Sequence, residues 1–228
     1  MIMKKTIAIL SVLCLLLAGC TGSQTVSEET TATEVLIPIG TSQPEEARAI
    51  SPLPDTTMEN LTDAILSVSL EEGNAYVDDS GRMQMDLKIY TYDQYDMVDI
   101  AALKVGDTIV RHSGEVEVIS IERNETGTIH INGGLDNGGF NLVTDDCGTF
   151  YEMGFNDTKS WYQVGEATIR VSADFEGFDR ADPDLGEVII YPGDFLIGAV
   201  TNYDFTPYNT TIRVENGQII GMTRVYTP

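Results

Sequence analysis

The chain has 228 residues and contains 36 acidic against 13 basic residues, a formal net charge of −23 at pH 7. Proteins that bind nucleic acid neutralise phosphates with Lys and Arg, so this excess of acid argues against a nucleic-acid partner. It also disfavours docking on anionic lipid, and it keeps a protein soluble.

The N-terminal twenty residues, MIMKKTIAILSVLCLLLAGC, have the pattern of an export signal. Lys4 and Lys5 form a charged start, and an almost unbroken apolar run follows from Ile7 to Ala18. The run is shorter than the roughly 20 apolar residues that a membrane-spanning helix needs, and polar sequence follows it at once. We therefore expect a cleaved signal peptide rather than a membrane-spanning anchor.

The apolar run ends in Leu17-Ala18-Gly19-Cys20, which resembles the lipobox of bacterial prolipoproteins. That resemblance implies that residues 1–19 are a lipoprotein signal peptide and that Cys20 becomes the lipidated first residue of the mature protein. It also implies a location on the extracytoplasmic face of the cell membrane, with acyl chains such as palmitate as the anchor. Cys147 is then the one cysteine left beyond the lipid site, and we expect a buried, unreactive thiol there.

Residues 20–57 combine the lipidated cysteine with a segment rich in Ser, Thr, Glu and Pro that has little apolar periodicity. This composition is typical of a flexible polar tether. Residues 58–228 contain the periodic segments and are near the common size of one domain. We therefore expect a single β-rich globular domain over 58–228.

Alternation of apolar and polar residues dominates the predicted domain. The clearest strands are 83–91 and 166–175, in which apolar side chains occupy the odd-numbered positions from Met83 to Ile89 and from Ala167 to Phe175. Segments 57–70 and 97–103 are open to helix or strand. Shorter runs that also predict strands are 107–111, 115–122, 128–132, 149–155 and 194–201.

The C-terminal segment predicts a hairpin, because 210–215 and 218–226 flank Asn216-Gly217, a dipeptide suited to a type I′ turn. This register places Val214 opposite Ile219. Many short strands separated by Gly- and Asn-rich turns predict an all-β fold, an antiparallel sandwich or barrel.

Residues 102–110, ALKVGDTIV, resemble the entrance of small β-barrels such as the self-splicing Hint domains. The nucleophile and the histidine motif of those domains are not recognisable in this sequence. The resemblance therefore implies only local geometry, in which Gly106-Asp107 turns the chain into a strand.

Catalytic motifs are absent from the sequence, which contains no GxSxG, HExxH, CxxC, Walker A or GxGxxG pattern. A glycosidase needs only two carboxylates at the right separation, which a sequence does not reveal. We therefore expect a protein without catalytic activity. An extracytoplasmic hydrolase that uses a carboxylate pair stays as the alternative.

Calcium is a second use for the acids, because the ion prefers oxygen ligands on Asp-rich loops. The sequence between residues 174 and 187 fails the EF-hand pattern, yet it is the richest acidic segment of the chain. We interpret it as a loop that could bind calcium, the alternative being an ordinary solvated turn. Its candidate ligands are Asp174, Glu176, Asp179, Asp182, Asp184 and Glu187.

Four aromatic residues are candidates for contact with a sugar or a protein partner: Tyr90, Tyr92, Trp161 and Tyr162. Tyr90 and Tyr92 occupy the polar side of the 83–91 strand, and Trp161-Tyr162 follows a segment rich in turns. The alternative is that Tyr90 and Tyr92 pack across to a neighbouring strand, or that their face forms a second core.

The whole chain resembles uncharacterised lipoproteins of Gram-positive gut bacteria, in which a lipobox and a polar tether precede a β-rich domain that ends in a strand like TRVYTP. The resemblance implies location and architecture. From the tether and the compact domain we expect a non-catalytic surface module that binds glycan or protein. A structural protein of the cell envelope is a further alternative.

Replacement of Cys20 by Ser should block lipid addition and normal signal cleavage, because the thiol is the acceptor of the lipid. Metabolic labelling with a palmitate analogue measures this directly. Equal label on the wild type and on Cys20→Ser would contradict the lipoprotein interpretation.

Calcium should stabilise the domain if the 174–187 segment binds it. A ligand present at a hundredfold excess over its Kd stabilises the folded state by about 2.7 kcal/mol. Melting curves at matched ionic strength test this, with magnesium as the control, because magnesium demands octahedral geometry. Equal shifts with the two ions would end the calcium hypothesis.

Overall fold

The structure is a computed structural model that describes residues 46–145, 147–154, 157–200 and 203–227. These residues form mainly β-strands, which confirms the predicted all-β class. No helix within them is long and apolar enough to cross a membrane. The predicted signal peptide, Cys20 and the tether as far as residue 45 lie outside the described residues.

The secondary structure consists of short strands, one very long strand and two short α-helices in the described part of the chain. The helices are α1 (Met97–Ala101) and α2 (Pro192–Leu196). The strands are β1 (Ala49–Ile50), β2 (Ala64–Ser69), β3 (Ala75–Val77), β4 (Met83–Thr91), β5 (Gln94–Tyr95), β6 (Thr108–Arg111), β7 (Gly114–Glu117), β8 (Ile121–Arg123), β9 (Ile129–Ile131), β10 (Phe140–Thr144), β11 (Phe150–Glu152), β12 (Tyr162–Arg180), β13 (Val188–Ile190), β14 (Thr210–Glu215) and β15 (Gln218–Val225).

Five of these strands close into a barrel. Around the barrel the order is β2, β4, β12, β15, β14 and back to β2. Every pair in this ring is antiparallel except β12 with β15, which is parallel. If the five barrel strands are numbered by their order in the chain, neighbours around the ring follow the order 1-2-3-5-4. This is the topology of the OB-fold barrel.

The barrel core follows from the alternation seen in the sequence. The odd-numbered residues of β4 and most of those of β12 point inward, as predicted, but Ala173 is exposed. Ala173 lies where the pairing of β12 with β15 shifts between Val171 and Glu176, so a bulge breaks the alternation there. The buried residues of this core are Leu66, Val68, Leu70, Ala75, Met85, Leu87, Ile89, Ile169, Val171, Phe175, Ile190, Phe195, Phe205, Ile212, Val214, Ile219 and Met222.

The predicted C-terminal hairpin is confirmed. β14 and β15 pair antiparallel and Val214 stands opposite Ile219. Asn216 and Gly217 have φ angles of 51° and 71°, the left-handed conformation that a type I′ turn requires.

The prediction of a strand at 194–201 is wrong, because the first residues of this segment belong to α2. Pro192 stands at the start of the helix, where its fixed φ and missing N–H cost nothing. The side chain of Asp194 accepts a hydrogen bond from the backbone N–H of Tyr191 at 2.7 Å and thereby caps the first turn. Phe195 then joins the barrel core.

Between β4 and β12 the chain builds a second, smaller β unit with its own core, which we call the insert (residues 92–161). Together with β1, which comes earlier in the chain, it forms two sheets in the orders β1-β6-β7 and β5-β11-β10-β9-β8. The core of this unit combines Ile50 of β1 with residues of the insert: Tyr95, Ile100, Leu103, Ile109, Val118, Ile129, Ile131, Phe140, Leu142 and Phe150. As expected from the Hint-like stretch, Gly106-Asp107 leads into β6, with Gly106 at a φ of 93°.

The predicted start of the domain at residue 58 is too late. β1 pairs in parallel with β6, and Ile50 is buried in the core of the insert. The backbone N–H of Leu53 also donates to the carbonyl of Gln94 at 2.6 Å. A strand of two residues is too short for a periodic signal, which is why the sequence pattern does not reveal it.

A buried ion pair joins the two parallel strands of the barrel. Arg224 of β15, only 3% exposed, stands opposite Asp179 of β12. Its Nε donates to Asp179 Oδ1 at 3.0 Å, its Nη2 donates to Oδ2, and its guanidinium lies 4.5 Å from the centroid of the Phe205 ring. Burial opposes ionisation of Asp179, but the hydrogen bonds from Arg224 and from the backbone of Ala181 outweigh it and lower the pKa of this carboxyl.

Asp179→Asn should destabilise the fold by about 3–5 kcal/mol at pH 7, because it removes the negative charge that compensates the buried Arg224 guanidinium. The folded-state pKa of Asp179 is lowered, so its stabilising effect is present above the unfolded value of about 3.9 and is lost as the pH falls below it. Urea unfolding between pH 3 and pH 8 should therefore show a difference from wild type that shrinks below about pH 4.

Asp174→Asn is the matched control, because Asp174 is exposed on the same strand. It should change the free energy of unfolding by less than about 0.5 kcal/mol. A loss for Asp179→Asn that is no larger than that of the control, or that does not vary with pH, would contradict this account.

Candidate binding face

The outer surface of β4 and β12 carries a row of polar side chains. The strands pair antiparallel and their apolar residues point into the barrel, so the alternate residues face outward. From residue 84 to residue 90 this row extends about 20 Å. The outward cross-strand pairs are Gln84 with Arg170, Asp86 with Thr168, Lys88 with Glu166 and Tyr90 with Gln163.

A shallow groove of about 470 Å³ lies on this face. Most of its side chains carry hydroxyl, amide, ammonium or carboxylate groups, so it offers donors and acceptors rather than an apolar cavity. Its lining residues are Asn74, Tyr76, Asp86, Leu87, Lys88, Glu166, Ala167 and Thr168.

Asp86 is held in the groove by two side-chain hydrogen bonds. Its Oδ1 accepts hydrogen bonds from the hydroxyl of Thr168 at 2.6 Å and from that of Tyr76 at 3.4 Å. Burial and the charge of Asp86 raise the pKa of Tyr76, so the phenol stays protonated and can donate. Within the described part of the chain Oδ2 accepts no hydrogen bond, which leaves that oxygen for a ligand.

The charge of the groove is negative. Lys88 pairs with Glu71, and this hydrogen bond lowers the pKa of Glu71 and raises the pKa of Lys88. Glu71 therefore balances the positive charge of Lys88. The charges of the groove lining that are left over are the negative charges of Asp86 and Glu166. Such a groove repels phosphates and suits a ligand that is neutral or positively charged.

Beyond the groove, where β4 ends and β12 begins, three aromatic side chains surround one ammonium group. We call the rings of Tyr92, Tyr151 and Trp161 the aromatic cage. The Tyr92 ring makes edge-to-face contacts with Trp161, at 4.8 Å between centroids, and with Tyr151, at 5.9 Å. Lys159 Nζ lies 4.0, 5.4 and 5.8 Å from the centroids of Tyr92, Tyr151 and Trp161.

Tyr162 takes part in a separate polar cluster that links the barrel to the insert. Its hydroxyl donates to Asp93 Oδ1 at 2.9 Å, and Asp93 is only 4% exposed. Asp93 Oδ2 accepts the backbone N–H of His112 at 2.8 Å and lies 3.2 Å from its Nδ1, while the His112 ring stacks on Tyr162 at 3.8 Å. Burial and the hydrogen bond to Asp93 raise the pKa of Tyr162, which keeps the phenol a donor.

The structure brings together two of the four aromatic residues that the sequence suggested, Tyr92 and Trp161. Tyr90 instead lies on the row above the groove, with its hydroxyl 3.3 Å from Ser69 Oγ. Tyr162 stacks on His112 and does not join the cage.

Sequence reasoning missed Tyr151 and Lys159 of the aromatic cage. Tyr151 reaches it through the pairing of β10, β11 and β5, and Lys159 lies in a non-repetitive segment just before β12. Lys159 has no periodic signal, and alternation predicts a strand around Tyr151 without indicating which strands pair with it.

The acidic segment is not one loop, and that part of the calcium interpretation is wrong. Asp174, Glu176 and Asp179 belong to β12, and only the residues after Arg180 connect it to β13. Asp179 binds Arg224, and Glu187 accepts from Arg180 Nε at 2.6 Å.

The other two acids, Asp182 and Asp184, are exposed in the connection, where Asp182 Oδ1 accepts the backbone N–H of Asp184. The described residues contain no group of three or more His, Cys, Asp or Glu side chains that could hold a metal ion. Calcium binding stays a prediction without an assembled site. The expected burial of Cys147 is also wrong, because this residue is exposed in the turn between β10 and β11.

Comparison of the chain with models of known protein families, with curated proteins and with solved structures finds no match. The fold itself defines a closed five-stranded barrel of OB topology that carries a small β insert between its second and third strands. Function must then be argued from the groove and the aromatic cage, since the fold alone does not imply it.

Proposed function

We propose that the chain is a non-catalytic binding protein for a neutral or positively charged glycan, held on the extracytoplasmic face of the cell membrane by a lipid on Cys20. The observation that carries the glycan proposal is the polar groove on the outer face of β4 and β12. The lipobox supports the location.

The chemistry of the groove favours hydroxyl-rich ligands. Asp86, Thr168 and Tyr76 form a fixed array of acceptors and donors within one groove, as recognition of a sugar requires. The groove is open at the surface, which suits an extended polymer better than a small apolar molecule.

The position of the groove agrees with the topology of the barrel. OB barrels bind oligonucleotides and oligosaccharides on the face of their second and third strands, which here are β4 and β12. This is an analogy at the level of the fold. The negative groove and the net charge of −23 favour oligosaccharide over oligonucleotide.

A hydrolase is the second candidate, because Asp86 and Glu166 both line the groove. They are diagonal neighbours across the strand pair, so their positions on the sheet are roughly 7–8 Å apart, and inverting glycosidases hold their two carboxyl groups roughly 6.5–9.5 Å apart. The general acid of such an enzyme usually lies against apolar groups, which raise its pKa and keep it protonated. Glu166, by contrast, is exposed to water. We therefore favour binding over catalysis.

Asp86→Ala should weaken glycan binding at least about tenfold, because a hydrogen bond to a charged group contributes roughly 1.5–3 kcal/mol. The full chain, purified in detergent, is applied to an array of neutral, amino-bearing and acidic oligosaccharides, and titration calorimetry then measures the affinity for the strongest binder. Thr211→Ala on the outward face of β14 is the control and should bind as the wild type does.

Two results would contradict the proposal. Either no oligosaccharide binds, or Asp86→Ala binds the selected one as tightly as Thr211→Ala does. Release of reducing ends from the bound oligosaccharide by the wild type, and its loss in Asp86→Asn, would instead establish the hydrolase.

A further inference from the structure

We propose that the aromatic cage is a binding site for an ammonium group of an external ligand, and that Lys159 occupies it as an internal competitor. This inference stands on the geometry of the cage and does not depend on glycan binding at the groove.

The cage has the geometry of a cation site. The Lys159 ammonium lies within 6 Å of the centroids of Tyr92, Tyr151 and Trp161. Each ring attracts a cation through the negative potential of its face, and the interaction is strongest where the cation is partly removed from water. The hydroxyl of Tyr92 also accepts a hydrogen bond from Lys159 Nζ at 2.6 Å. Together these groups recognise a primary ammonium, and the rings alone suit a quaternary one.

The environment of Lys159 differs from that of four other basic side chains, which pair with carboxylates. The four ion pairs are Lys88 with Glu71, Arg111 with Glu152, Arg180 with Glu187 and Arg224 with Asp179. Within the described residues Lys159 forms no ion pair within 4 Å, in a chain that has 36 acids. The charge of Lys159 contributes to the lowered pKa of Asp145, but its ammonium is placed against the three rings of the cage.

Lys159 can leave the cage without unfolding the domain. Its backbone is fixed, because Lys159 bridges to Met153 and its carbonyl accepts the N–H of Trp161 at 3.0 Å. The side chain, by contrast, is a flexible four-carbon stem that ends in a point charge. Withdrawal of the ammonium into water therefore requires only rotation about side-chain bonds.

The ligand class follows from the rings and from the charge of the protein. Aromatic faces bind weakly hydrated cations such as quaternary ammonium groups. The net charge of −23 raises the concentration of cations near the surface. A side chain tethered at the site competes with any external ligand. The apparent affinity of that ligand equals its affinity for the open cage multiplied by the fraction of time for which the cage is open.

Trp161 makes the experiment direct, because it is the one tryptophan of the chain and its ring is part of the cage. The full chain is titrated with tetramethylammonium chloride and with choline chloride, and with sodium chloride at equal ionic strength, while tryptophan fluorescence is recorded. We expect Lys159→Ala to show a saturable change with an affinity at least about tenfold higher than that of the wild type.

The control for lost charge is Arg213→Ala, because Arg213 is exposed on β14 away from the cage. It should titrate as the wild type does. Lys159→Met keeps the volume of the stem and replaces Lys159→Ala if that variant loses its β-sheet circular dichroism. The double variant Lys159→Ala with Tyr92→Leu should lose the saturable change.

Equal affinity of the wild type and the Lys159 variants would overturn the proposal, and so would the absence of any saturable change in either. A response to sodium chloride that matches the response to tetramethylammonium would also overturn it, because it would reflect ionic strength alone.

Discussion

The structure depends on one long strand, β12, that changes its pairing partner along its length. The first half of β12 pairs with β4 and its second half pairs in parallel with β15, so this strand closes the barrel. A closed barrel has no free sheet edge within its ring, and its interior is filled by side chains. The bulge between Val171 and Glu176 lets one strand serve both neighbours, because it bends and twists the strand at the point where the partners change.

The closure also positions both candidate sites. The outward residues of the first half of β12 and of β4 form the wall of the groove, and their inward residues form the core. The groove is therefore supported by packed side chains beneath it. The aromatic cage lies where the chain passes from β4 into the insert and returns from the insert to β12. Tyr92 comes just after β4, and Trp161 comes just before β12.

Local patterns predicted local structure well and long-range pairing poorly. The 83–91 strand and the C-terminal hairpin, with Val214 opposite Ile219, could be predicted because alternation and Asn-Gly chemistry act within a few residues. The parallel pairing of β12 with β15 and the addition of β1 to the insert depend on contacts between distant segments. The site shows the same limit, since Trp161 could be selected as an aromatic residue but its neighbour Lys159 could not.

The insert has a consequence for how the chain folds. Thr91 and Tyr162 stand opposite each other in the pairing of β4 with β12, although the whole insert separates them in sequence. An unstructured loop of that length would add closure entropy and slow the search for this pairing. The insert has its own hydrophobic core, and its β5–β11 pairing joins segments near its two ends, so its formation first would bring those ends together. The contacts of the barrel would then form late. The rate at which β4 and β12 pair to build the groove would depend on the folding of the insert, although both strands lie outside it.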